Sequence, residues 1–280
     1  MNIATASSPG DCVLKDTLAE MTYLEVEAAI SRGAIGLWGL GVIEQHGPHL
    51  PTATDVYIPS VRLREVKRLL AQQGIEALII PPFYWGVNHV SSSFPATIKV
   101  RPRVMVDLMT DVIKSLADDG LRHLFCLSGH NDRAHNETIF QAVCRGSAES
   151  SLQAAFVAED VMIGRLGVEP GHPHALAFSV PSNAVPSPFL DIHAGDWETS
   201  VMLAFNPEVV RHEALHDLAP TNLVIADLQE WRKGHDDARR VTPLGYFGDP
   251  AAATAEHGRA WILREAESIC QVIARRVQDA

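Results

Sequence analysis

The stretch AIGLWGLGVIEQHGPHLPTATD, residues 34–55, passes from ten consecutive apolar or glycine residues into a segment holding a glutamate, two histidines and an aspartate. A short, fully apolar run bounded by turn residues reads as a strand buried on both faces. Asp55 then stands where it can cap a helix over about 56–73, with Pro59 in the first turn, Leu63, Val66 and Leu70 on one face, and Gly74 as the stop. The same alternation continues outward. IEALIIPP (75–82) reads as a second buried strand, and PRVMVDLMTDVIKSLADDG (102–120) as a helix with Met105, Leu108, Val112 and Leu116 on one side. HLFCL (123–127), a helix over about 131–147 and the strand AAFVAE (154–159) follow. Alternating strands and amphipathic helices predict a three-layer α/β/α sandwich with a mostly parallel central sheet. Right-handed crossovers then gather the strand C-termini on one edge, where ligands bind in such sheets.

No composition shift marks a linker in the 280 residues, so a single domain is expected over 1–280, with residues 1–20 as an N-terminal extension. Residues 164–190 carry five prolines and interrupt the rhythm, which suits a long loop framing a site. Beyond it, DIHAGDWETSVMLAF turns into a helix, and a helix over about 251–277 closes the chain with Ile262, Ala266, Ile269, Ile273 and Val277 as its stripe. A formal charge of −11 without a basic stripe argues against nucleic acid and anionic membranes as partners. The longest apolar run falls short of the roughly 18 residues that span a bilayer, and the N-terminus has no basic, apolar leader. Four cysteines at 12, 126, 144 and 270 show no metal or disulfide spacing, so a reducing, cytoplasmic setting is expected.

Three groups of titratable residues fall at strand ends: Glu44, His46 and Asp55; His130 and Asp132; His193, Asp196 and Glu198. Glu44 and His46 are two apart, so an extended chain projects both to one side. A carboxylate such as Asp55 can bridge two ions, and mixed imidazole and carboxylate ligands suit zinc, manganese or iron. Each group alone reads as a solvated turn or a helix cap; the three together point to a metal site. His49 could line the site but reads more simply as a loop histidine making local hydrogen bonds, and His135 reads as a helix-surface residue. His172 and His174 either touch substrate or sit exposed, and WRKGHDDARR (231–240) reads as a solvated surface. Cys126 reads as core. Gly39 and Gly41 begin a dinucleotide-binding pattern, but Glu44 occupies the third glycine position, where a pyrophosphate must approach. No GxSxG elbow supports a serine hydrolase.

EQHGPHLPTATD, FPAT, SGHND and DIHAGDWETS, in that order over residues 34–205, resemble the creatininase (creatinine amidohydrolase) family, as does GYFGDPAAATAEHG near 245–258. The resemblance implies a three-layer α/β/α domain, two divalent ions (zinc, manganese or iron), hydrolysis of a non-peptide C–N bond in many members, and frequently a hexamer. By motif position, Glu44 and His130 would hold one ion and His46 the other, with Asp55 between them. Many members read NGHGGN where this chain reads SGHNDRAHN. Creatininase itself has a ligating glutamate at the place of Asp132, which makes Asp132 a candidate ligand. Ala96 replaces the usual glycine of FPGT, and Ser91 stands where many members have histidine. Asn88, His89, Ser91 and Asn131 are candidate substrate contacts, and creatinine is not the expected substrate. His193 would donate a proton to a departing nitrogen, and Glu198 would orient or deprotonate the attacking water. The expected substrate is a small cyclic amide. A deformylase or peptidase of a biosynthetic pathway, and a non-catalytic metal-containing binding protein, stand as alternatives.

Overall fold

A computed structural model describes residues 13–180 and 187–279. Its elements are α1 (Tyr23–Ser31), β1 (Ile35–Leu40), α2 (Thr54–Gln72), β2 (Ala77–Phe83), α3 (Pro102–Asp118), β3 (His123–Ser128), α4 (Arg133–Ala148) and β4 (Gln153–Glu159). They continue with α5 (Asp160–Leu166), β5 (Ala175–Phe178), α6 (Asp196–Phe205), α7 (His212–His216), α8 (Ile225–Trp231), α9 (His235–Val241) and α10 (Ala255–Gln278). The five strands form one sheet in the order β2-β1-β3-β4-β5, and every pairing is parallel. Strand alternation sorts the core into two layers. Trp38, Leu40, Leu124 and Cys126 face Met105, Met109, Ile139 and Val143 of α3 and α4. Ile35, Leu37, Phe125 and Leu127 face Leu63, Val66, Ile269 and Ile273 of α2 and α10. The α/β/α sandwich expected from the alternation is therefore the fold.

Three local expectations change. The segment 164–190 is more than an excursion, because its residues 175–178 add the edge strand β5. Pro181 and Pro186 of that segment lie outside the described residues, as do residues 1–12 of the N-terminal extension with Cys12. His172 and His174 sit at the start of β5, where His174 Nδ1 contacts the Ala154 carbonyl oxygen at 2.9 Å. Ala154 is the second residue of β4, so this is the end of the sheet opposite the strand C-termini, and neither histidine lines the cavity at those C-termini. His135 is fully buried, on the α4 face that carries Ile139, Ala142 and Val143 into the core at spacings of four, seven and eight.

The start of α2 also differs from its sequence reading, and the difference builds the site. The helix begins at Thr54 with Ala53 as the residue before it, so Asp55 lies inside the first turn and caps nothing; Pro59 falls in the second turn. A proline there has no N–H to give the carbonyl four residues back, which is that of Asp55. That carbonyl instead lies against two glycines: a Cβ on Gly41 would stand 2.1 Å from Asp55 O, and one on Gly129 2.2 Å from it. Gly41 and Gly129 are pinned in turn by backbone bonds to Phe83 O and Leu40 O, both 2.8 Å. The glycine pattern that resembles a nucleotide loop thus serves to seat a proline-containing helix turn on the ends of β1 and β3.

Candidate metal and active site

The seating of α2 brings residues from four places in the sequence to one point beyond the strand C-termini. Glu44 and His46 leave β1, Asp55 enters on α2, His130 follows β3, and His193 and Glu198 come from the turn into α6. All six are buried. His130 Nδ1 lies 3.0 Å from both Glu44 Oε1 and Asp55 Oδ2. His46 Nε2 lies 3.2 Å from Asp55 Oδ1 and 3.7 Å from Glu198 Oε2. The two oxygens of Asp55 therefore face two different ligand groups: Glu44 with His130, and His46 with Glu198. A third grouping, Glu44, His46 and His193, shares the same centre, with His193 Nδ1 at 3.8 Å from Glu44 Oε1.

The surrounding residues hold these groups in place. Ser91 Oγ donates to Glu44 Oε2 and lies 3.1 Å from Asn88 Oδ1. Gln45 N donates to Thr97 Oγ1 at 3.3 Å, tying the FPAT loop beside Glu44. Ala96 in that loop keeps φ at 60°, the left-handed conformation that glycine favours, although it has a Cβ. Gln45 holds the Nε2 edge of His193 with its carbonyl oxygen at 2.9 Å and its side-chain nitrogen at 3.1 Å. Ala194 has φ of 48° and donates its N–H to Glu198 Oε2 at 2.6 Å, so a strained turn aims that carboxylate at His46. The C-terminal signature braces the same turn: Phe247 N donates to His193 O at 2.7 Å, and Ile192 N to Phe247 O at 2.9 Å.

Burial opposes ionisation of Glu44 and Asp55, yet the facing histidines hold both carboxyls below the usual range. Burial works against the charge on His46 too, but Asp55, Glu198 and Glu44 raise it to about 10, and His130 rises well above its usual value between Glu44 and Asp55. Glu198 is pushed up to about 7 by burial, with the Asp55 charge adding. His193 drops to about 4, first from burial and then from the charge on His46. At the centre, Glu44 Oε1 and Asp55 Oδ2 have no hydrogen-bond partner among the described residues and share the one His130 Nδ1 at 3.0 Å. Buried carboxylate oxygens and an imidazole nitrogen so placed are costly unless something electropositive meets them, and their chemistry fits a divalent ion of zinc, manganese or iron type.

The remaining candidates divide. Asp132 does not join the cluster. Its side chain caps α4 by accepting from Ala134 N at 2.8 Å, and its other oxygen accepts from His89 N at 3.1 Å and Val90 N at 3.4 Å. Asn88 and Ser91 are buried behind Glu44, whereas His89 and Asn131 line the cavity that opens onto the cluster. His49 is fully buried and bonds across the fold to Thr199 Oγ1 at 2.9 Å, a long-range tie between loop and α6 in place of the local bonds expected of it.

That cavity holds about 680 Å³, within the range of small-molecule sites. Two groups on its wall were not anticipated from the sequence. Trp231, inside the run read as solvated surface, lines the cavity with its ring 5.9 Å from that of His193 and 6.0 Å from that of Phe247. Its spacing of three from the buried Leu228 on α8 is the pattern that could have flagged it. Arg62 and Glu265 form a buried pair at 3.0 Å deeper in, with Arg62 Nη1 donating to Ser128 O at 3.3 Å.

Comparison with known proteins bears on the family and the fold. Residues 19–273 match the creatininase family, described as creatinine amidohydrolase. A mycofactocin precursor peptide peptidase of Mycobacterium ulcerans is 30% identical over 242 residues, covering 84% of this chain and 83% of the relative. A creatinine amidohydrolase of Pseudomonas putida is 25% identical over 277 residues, covering 94% and 95%. Among solved structures, a creatinine amidohydrolase (creatininase) superposes with a TM-score of 0.67 at 24% identity, over 93% of this chain and 97% of the other. A structure described as creatininase with Mn superposes at 0.68 and 23% identity, over 94% and 98%. With the family match spanning most of its length, this chain belongs to the creatininase family.

Proposed function

We propose that the chain is a divalent-metal-dependent hydrolase that cleaves a C–N bond of a small amide. Two ions would be held, one by Glu44, Asp55 and His130, the other by His46, Asp55 and Glu198. The observation that carries this reading is the orientation of Asp55, whose two oxygens meet two separate sets of ligand atoms. Ions bound there supply Lewis acidity and bring the pKa of water from about 16 toward 7. The residues of the chain do the rest. Glu198, fixed by the Ala194 N–H with its carboxylate toward His46, would lie beside the ion at His46, where it can orient or deprotonate the attacking water. His193, whose Nε2–H donates to Gln45 O, turns an unprotonated Nδ1 toward the cluster, where it can take up the proton released from water and hand it to the departing nitrogen. Trp231 and Phe247 shield the histidine from bulk water.

The non-catalytic alternative is disfavoured because all four ligands carried over from the family are present and converge. A peptide substrate stands as a second reading, supported by the relative of Mycobacterium ulcerans whose name is that of a peptidase. Metal analysis of the purified chain, followed by turnover of lactams, imides, hydantoins, formamides and short peptides, separates the two. Asp55→Ala should abolish both bound metal and turnover. Full activity with unchanged metal content in that variant would sink the proposal.

A further inference from the structure

The cavity mouth carries an unexpected charge. The chain is acidic overall, with 34 Asp and Glu against 23 Lys and Arg, and the cavity floor is rich in carboxylates. Yet Arg133, Arg165 and Arg232 all line this cavity, from the first residue of α4, from α5 and from the end of α8. None of the three forms an ion pair among the described residues, whereas Arg62, deeper in the same cavity, is matched with Glu265. Arg165 is half-buried, and its pKa is depressed first by burial and then by the charges on Arg232 and Arg133; Asp132 opposes this. Asp132 is a weak counterion for them, since its two oxygens already accept three backbone N–H groups. Arg133 moreover opens a sixteen-residue helix, where a cation opposes the helix dipole. Arg133 and Arg232 are exposed, but Arg165, partly desolvated beside their like charges, is unfavourably placed until an anion arrives to meet it.

We propose that Arg133, Arg165 and Arg232 form a receiving site for a carboxylate on the substrate, so that the protein acts on amides or short peptides bearing a free carboxylate on the portion nearest solvent. This rests on the hydrolase reading above and names its substrate class. Guanidinium groups match the planar two-oxygen face of a carboxylate and retain their charge at any working pH. They also place positive charge at one part of the wall of an acidic protein, where an anion can be drawn in. Between them and the metal-ligand cluster, Trp231 offers a flat apolar wall for the body of the substrate.

The test uses the metal-loaded full chain and matched N-acyl amino acids and N-acetyl dipeptides, each as the free acid and as the carboxamide. The ratio of kcat/KM for acid to carboxamide is expected to be at least about fivefold, and to fall as salt is raised. In Arg165→Gln/Arg232→Gln the ratio should approach one, while Arg165→Lys, which keeps the charge, should retain part of it. A ratio near one in the unaltered protein, or a preference that survives the double substitution, overturns the inference. Should no amide turn over, the hydrolase reading fails and thermal shift decides this one separately. Free acids must then raise Tm in the unaltered protein and not in the double variant; equal shifts overturn it.

Discussion

Replacing Gly41 by alanine should dismantle the proposed metal centre without touching any ligand. The new Cβ would stand 2.1 Å from the carbonyl oxygen and 2.7 Å from the carbonyl carbon of Asp55. Ordinary contact between such atoms begins near 3.3 Å, so the helix turn must retreat by roughly 1 Å. The strand cannot yield in its place, because Gly41 N is bonded to Phe83 O at 2.8 Å. Asp55 therefore moves, and with it both sets of contacts, 3.0 Å to His130 and 3.2 Å to His46. Misplacement by about 1 Å commonly costs on the order of a hundredfold in rate, and overpacking a well-filled site about 1–3 kcal/mol in stability. For a chain of this size that corresponds to a drop of several degrees in Tm, at about 2–4 °C per kcal/mol. Bound metal after gel filtration and thermal unfolding are the measurements. Gly164→Ala is the control, since no atom lies within 4 Å of its added Cβ. Wild-type metal content and Tm in Gly41→Ala would refute the account of how α2 is seated.

Further outcomes follow from other contacts. Ala96→Gly relieves a positive φ that costs alanine about 1–2 kcal/mol, against about 0.4–1 kcal/mol of added chain entropy in the unfolded state, so denaturant titration should show a gain of up to about 1.6 kcal/mol. A clear loss would contradict it. Glu265→Ala strands the buried Arg62 and should cost about 3–5 kcal/mol, whereas the double change Arg62→Met/Glu265→Met should cost less than the single one. His49 and His135, held neutral with pKa values of about 4 and about 3, have folded values below the unfolded one. Their contribution is therefore complete above about pH 6.5 and lost as pH falls toward 4, at roughly 1.4 kcal/mol per unit for each. His135→Gln should flatten that acid limb in denaturant midpoints taken from pH 7 to 4; an unchanged slope would argue against the neutral buried ring.

The order of strands and helices was legible along the chain because buried strands and amphipathic helices impose periods of two and 3.6 on the residues themselves. The family motifs likewise contain Glu44, His46, Asp55, His130, His193 and Glu198. β5 escaped because four residues at a sheet edge, lying between prolines, carry too short a pattern to register. His135 escaped because one histidine does not reveal which face of its helix is covered. Asp132 looked like a ligand because it sits two residues after His130, but spacing cannot say whether a carboxylate reaches inward or turns to cap α4.

What the sequence by itself determined, then, was the layered fold and the set of residues that could meet at the strand ends, since both depend on local periodicity and local spacing. Tertiary structure alone decided that Asp55 faces two groups at once, that Gly41 and Gly129 make room for it, and that Trp231 and three arginines share its cavity. Those facts depend on contacts between segments up to two hundred residues apart, where close packing selects the neighbours and no local pattern records them.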